Sequence, residues 1–167
     1  SSSSFFLAGA FLALVAGFSL SLFAAGASAD PLQDNVKAGL SALKKKLEAE
    51  GAPRIEGENL FFGKRKINGD TEAVDELKEI MGVTAPIFMK QDAKFVRVST
   101  NIMREGKRAV GTELDPKGAV YPLASKGTAY QGRAEILGKS YETIYEPIVD
   151  ANKQLVGIYL VALPVAP

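Results

Sequence analysis

Between Phe5 and Ala27 the chain carries no charged side chain. A run of roughly 20 apolar residues is what an α-helix needs to cross about 30 Å of hydrocarbon. Two readings follow: a cleaved secretory signal, with Ala27-Ser28-Ala29 as the small-residue cleavage site, or a retained membrane anchor. The stretch exceeds the usual signal core of about 7 to 15 residues and no basic segment precedes it, which favours the anchor. Either reading sends the remainder outward. Asp30 and Asp34 follow closely while the first Lys is Lys37, which fits a C-terminal domain on the outside. Residues 1–29 are thus read as a transmembrane anchor or an uncleaved signal-like segment.

Within that segment Gly9, Ala13, Gly17, Ser21 and Ala25 recur every four residues. Small side chains at this spacing line one helix face and let another backbone approach closely. A membrane-protein partner through this helix is therefore expected.

Residues 30–53 read as an amphipathic stalk helix. Pro31 suits a first helical turn, and Val36, Leu40, Leu43 and Leu47 form one apolar stripe at spacings of four, three and four. Lys44, Lys45 and Lys46 lie mostly off the stripe and read as a solvated face rather than a binding patch. Gly51, Ala52 and Pro53 end the helix. The stripe must pack on the domain's own sheet or on the same helix of a second chain, so a homodimer stays open.

Composition removes whole classes of chemistry. The 20 Lys and Arg nearly cancel the 19 Asp and Glu, so no field points to nucleic acid. The 167 residues contain no Cys and no His, which removes disulfides, thiolate nucleophiles, imidazole bases and the commonest zinc ligand. No metal or other cofactor is expected. Ser140 is not in a nucleophile elbow and has no imidazole to activate it. Glu142 and Glu146, four apart in a predicted strand, stand roughly 13 Å apart along it, wider than either glycosidase geometry. The chain is not expected to be an enzyme.

Residues 54–167 read as one α+β domain. Asn68-Gly69-Asp70 is turn chemistry, with Asp70 placed to cap a short helix bearing Val74, Leu77 and Met81 and closed by Gly82. Val83 to Met89 and Phe95 to Thr100 read as a hairpin across Gln91-Asp92-Ala93, with Pro86 demoting the first strand to an edge or a bulged one. Ala109 to Leu114 is a third strand, Asp115-Pro116 a helix start and Gly127 its stop. Three strands finish the chain, Ala129 to Leu137, Tyr141 to Val149 and Leu155 to Leu163, separated by turns at Gly138-Lys139 and Asp150-Ala151-Asn152. The glycines at 111, 132, 138 and 157 serve turns, bulges and close backbone approach.

The run Phe95-Val96-Arg97-Val98-Ser99-Thr100-Asn101, then Gly106-Lys107-Arg108-Ala109-Val110-Gly111-Thr112, resembles the single Cache domains of bacterial chemoreceptors and sensor kinases. Downstream, Gly127-Thr128-Ala129-Tyr130-Gln131-Gly132, Leu137-Gly138, Tyr141, Tyr145-Glu146-Pro147-Ile148 and Val156-Gly157-Ile158 match in order and spacing, so the likeness covers about Leu60 to Leu163. It implies a long N-terminal helix lying on a PAS-like antiparallel sheet, with a small organic ligand between the sheet and its loops. It also implies a single-pass protein of the bacterial cytoplasmic membrane, its domain periplasmic or outside. Such receptors continue into signalling modules, whereas this sequence ends at Pro167, so the signal is expected to pass through a partner. The alternative is an accessory subunit of a membrane assembly that uses the fold for docking. Where family members often carry Thr before Ile87-Phe88, this chain has Pro86, which removes a hydroxyl and a backbone donor near the expected pocket.

Strand alternation places Phe95, Arg97 and Ser99 on one face, with Val96, Val98 and Thr100 on the other. A guanidinium among apolar neighbours usually needs a carboxylate, either a ligand's or an internal one from Glu135, Glu142 or Glu146, unless it is simply exposed on an uncovered sheet face. Arg97 and Arg108 are the candidates for an anionic, carboxylate-bearing ligand. Tyr130, Tyr141 and Tyr145 are placed to form a concave wall, with the core as the competing assignment. Thr100, Asn101 and Thr112 add neutral hydrogen bonds. Phe88 and Ser99 complete the expected ligand-binding set.

Overall fold

The computed structural model describes residues 30–166. The predicted anchor and its stripe from Gly9 to Ala25 lie outside them. Among the described residues no helix is long and apolar enough to cross a membrane. The elements are, in order, α1 (Pro31–Glu48), β1 (Pro53–Glu56), β2 (Asn59–Phe62), β3 (Arg65–Lys66), α2 (Glu72–Met81), β4 (Ile87–Gln91), β5 (Lys94–Ser99), β6 (Met103–Arg104), β7 (Lys107–Arg108), α3 (Val120–Ser125), β8 (Tyr130–Ile136), β9 (Lys139–Val149) and β10 (Leu155–Pro164).

Helix α1 starts where its sequence offers a cap. The Asp30 carboxylate accepts from the N–H groups of Leu32 at 3.1 Å and Gln33 at 3.4 Å, and Pro31 follows at the first helical position. Val36, Leu40, Leu43 and Leu47 are buried, and they face the domain's own sheet. Gly39 brings α1 close to that sheet: a Cβ there would lie 2.9 Å from Val161 Cγ1. Two of the three consecutive lysines are engaged, Lys44 with Glu146 of β9 at 2.7 Å and Lys46 with Glu76 of α2.

The sheet has five antiparallel strands in the order β5-β4-β10-β9-β8. Helices α1 and α2 cover one face, and the β6–β7 hairpin, α3 and their loops cover the other. Along β10, Val156, Tyr159 and Val161 enter the helix-side core while Ile158, Leu160 and Ala162 enter the loop-side core. Side chains on alternate sides of one strand thus knit two cores together. A small second sheet, β1-β2-β3, adds Leu60 and Phe62 to the helix-side core.

Several expectations need correction. Strand β4 is an inner strand between β5 and β10, not an edge. Pro86 interrupts the expected strand: a lone bridge joins Thr84 to Ala162, and the ladder resumes at Ile87 with a bulge at Val98 of β5. Missing its N–H, proline cannot donate to a ladder, so the strand is split there. Ala109 to Leu114 does not become a strand beyond one bridge, Val96 to Glu113. The expected helix start at Asp115-Pro116 is a turn, in which Asp115 accepts from the N–H groups of Lys117 and Gly118, and α3 begins only at Val120.

Leu43 is fully buried between α1 and the sheet. Leu43→Ala should lower stability by about 2–5 kcal/mol, read as a reduced urea midpoint at unchanged slope.

Candidate ligand site

On the loop side of the sheet lies a cavity of about 460 Å3. Arg97 of β5, Tyr130 of β8 and Tyr145 of β9 form its sheet wall, and the Leu114–Val120 segment and the β8–β9 turn at Leu137-Gly138 enclose it. Facing Tyr130 and Tyr145 are cross-strand partners whose rings lie 6.1 Å apart at 66°. This size falls within the range of small-molecule sites, about 300–1,000 Å3.

Arg97 is the unusual member. Its residue is 3 % exposed, its guanidinium carbon sits 4.7 Å above the Phe88 ring, and Nη1 donates to the Thr112 hydroxyl at 2.9 Å. Thr112 is aligned for this because Arg97 N–H donates to the Thr112 carbonyl at 2.8 Å, and its own hydroxyl donates to the Ala109 carbonyl. Arg97 Nε has no partner, and among the described residues no carboxylate pairs with this guanidinium. Burial lowers the Arg97 pKa, with Tyr145 and Tyr141 opposing that effect. An arginine so perturbed still carries its charge at neutral pH. Burial also pushes the Tyr145 phenol up, partly offset by Arg97, so it stays a neutral donor.

The other basic side chains nearby are spoken for. Arg133 also lines the cavity, yet its guanidinium pairs with the buried Glu142 at 2.6 Å. At the rim, Glu113 is held by Lys94 at 3.2 Å. The cavity therefore presents one buried guanidinium that no carboxylate among the described residues pairs with, beside two tyrosines, while Asp115 and Glu135 also line it.

Four residues expected in the site are tied elsewhere. Arg108 forms a fork with Asp75 of α2, Nη1 to Oδ1 at 2.7 Å and Nη2 to Oδ2 at 2.6 Å, and also donates to the Thr100 carbonyl at 3.0 Å. Its partner is neither a ligand nor any of Glu135, Glu142 and Glu146. Asn101 is a buried clasp: its Oδ1 accepts from Ala85 N–H at 2.9 Å and its Nδ2 donates to the carbonyls of Val74 at 2.7 Å and Val83 at 3.2 Å. Thr100 is fully buried and accepts from Ile102 N–H at 3.0 Å. Ser99 donates to the Asp70 carbonyl, because the bulge beside Val98 reverses strand parity and pairs Ser99 with Ile87, away from Arg97. Phe88 underlies Arg97 without lining the cavity, and Tyr141 belongs to the loop-side core.

Sequence reasoning missed Leu114, Asp115 and the Leu137-Gly138 turn as cavity walls. The only signals were turn residues, which mark a loop without saying what it closes over.

Asn101→Ala should destabilise by about 1–3 kcal/mol or more, since it leaves a buried N–H and two carbonyls short of partners, and should do so without a change in ligand response. The Arg108 fork holds the Asp75 carboxyl below the usual carboxylate range. Its contribution is complete above the ordinary carboxylate pKa and fades as pH falls through the lowered value. Asp75→Asn should flatten that part of the acid limb in an unfolding-versus-pH series; an unchanged limb would remove this pair from the account.

The fold resembles the crystal structure of the Escherichia coli DcuS sensor domain, with a TM-score of 0.45 and 17 % sequence identity, over 76 % of this chain and 92 % of that one. Among curated proteins none matches. The family model described as single Cache domain 3 matches residues 65–167, more than half of the sequence, so the chain belongs to the single Cache domain family.

Proposed function

We propose that this Cache domain is an extracytoplasmic receptor for a small organic carboxylate, anchored by Arg97. The observation that carries the reading is the Arg97 guanidinium, 3 % exposed and unmatched by any carboxylate among the described residues, at the wall of a 460 Å3 cavity. An isolated buried charge costs several kcal/mol. A ligand carboxylate offsets that cost, since a guanidinium fork matches its two oxygens. The phenol of Tyr145 adds a neutral donor and Tyr130 an apolar wall. Membership of a sensor-domain family supports the same reading.

In this proposal the domain performs no chemistry. Its described cavity holds neither an imidazole nor a thiol, and the Tyr145 phenol, raised by burial, stays protonated. The apolar segment from Phe5 to Ala27 serves as the membrane anchor, and the response passes through it to a membrane partner. The accessory-subunit reading rests on the Gly9 to Ala25 stripe, outside the described residues, and no observation in the described fold favours it.

The test uses the full chain, kept in nonionic detergent on account of its first segment, against a panel of small carboxylates by thermal shift. A binder at a hundredfold excess over its Kd stabilises by about 2.7 kcal/mol, which is several degrees of melting temperature. Arg97→Met should remove the response, a loss of at least about thirtyfold in affinity. The same variant should leave the ligand-free protein at least as stable, since it deletes an unpaired buried charge while keeping the bulk over Phe88. No response to any carboxylate, or one that Arg97→Met leaves intact, would sink the proposal.

A further inference from the structure

On the helix face, opposite Arg97, the C-terminal end of α1 does not close fully onto the sheet. A cavity of about 480 Å3 lies between Lys44 and Glu48 of α1, the turn at Ala52 and the end of β9 at Glu146 and Pro147. Tyr159 of β10 forms part of its wall. That residue is 2 % exposed, and its hydroxyl has no hydrogen-bond partner among the described residues. Its ring is gripped by the helix-side core and by Phe62, with centroids 6.0 Å apart, so packing sets where the hydroxyl points. Buried phenol hydroxyls are normally satisfied, and an orphan one is costly.

The charges around the hydroxyl say what would satisfy it. Burial, with the carboxylates of Glu48 and Glu146 facing the ring oxygen, pushes the Tyr159 phenol well up, so it is neutral. Lys44 engages Glu146 at 2.7 Å, which among the described residues leaves Glu48 as the carboxylate of the group without an ion pair. An anion entering here is repelled by the Glu48 carboxylate, and a neutral molecule gains no attraction from its charge. A group with donors only and one positive charge suits both the phenol oxygen and the carboxylate.

We infer that this cavity is a second ligand site, taking a small organic ammonium whose N–H groups donate to Tyr159 Oη and Glu48 while its short apolar body lies against Ala52 and Pro147. It is separate from the Arg97 site in position and opposite to it in charge preference. Because it joins α1 to β9 and β10, occupancy ties the helix to the sheet. Any coupling to the anion site must be reciprocal.

The test is titration of the full chain in nonionic detergent with n-propylammonium chloride at constant ionic strength, read by methyl NMR at Ile148 and Val149. A saturable shift is expected, retained in Arg97→Met and weakened at least tenfold in both Glu48→Gln and Tyr159→Phe. Glu48 is exposed on α1, and the Tyr159 hydroxyl bonds nothing among the described residues, so neither substitution removes a contact seen in the described fold. Tetramethylammonium, equal in charge but without N–H donors, should bind at least tenfold more weakly. Absence of saturation, an equal response to tetramethylammonium or sodium, or indifference to both substitutions would overturn the site.

Discussion

Strand β10 is buried on both faces, and the two halves of the molecule hang from its alternation. Tyr159 and Val161 point to the helices while Leu160 and Ala162 point to the loops, and both neighbouring strands pair with it. A slip of one residue would exchange the two sets, turning each core inside out. The register begins at Gly157, where a Cβ would stand 2.2 Å from the Phe88 carbonyl oxygen. Glycine at that point lets β4 and β10 approach, and so fixes Phe88 on the loop side, directly beneath Arg97.

With the sheet fixed, charge is handled differently at different places. Arg65 with Asp70 at 2.6 Å, Arg108 with Asp75 and Arg133 with Glu142 are all closed pairs. Arg97 is more buried than any of these arginines and has only a threonine hydroxyl. Folding alone gains nothing from that arrangement, since removing one partner of a buried pair is costly and here the partner is missing from the outset. In the proposed reading, stability given up at this one position of a well-paired fold marks a site kept open for a ligand. In the proposed receptor, an occupant of the cavity touches β5, β8 and β9, while α1 rests on β9 and β10, so the sheet itself lies between ligand and helix.

What the sequence made legible follows the range of the forces involved. The three closing strands announced themselves by composition and by local turns such as Gly138, which takes φ 83° in the β8–β9 connection. Helix α1 was legible from its Leu stripe and cap, but the surface covering the stripe was not, because that depends on residues more than a hundred positions away such as Tyr159. The β1-β2-β3 sheet was overlooked, although Gly57 and Gly63, at φ 61° and 58°, mark its two turns. At the cavity, Arg97 was legible as a guanidinium in an apolar strand. Its neighbours were not: one bulge at Val98 moved Ser99 to the other face, and Arg108 found its partner 33 residues back in the chain. Period-two reasoning holds only until the first bulge, and ion pairing is invisible to it.

The central claim is that Arg97 is held open for a carboxylate. A crystal structure of the chain grown with a carboxylate that raises its melting temperature tests it most directly. The account predicts density in the loop-side cavity with the carboxylate oxygens about 2.7–2.9 Å from the Arg97 guanidinium nitrogens and the Tyr145 hydroxyl turned toward them. A carboxylate bound elsewhere, or Arg97 swung into a pair with a protein carboxylate such as Asp115, would contradict it.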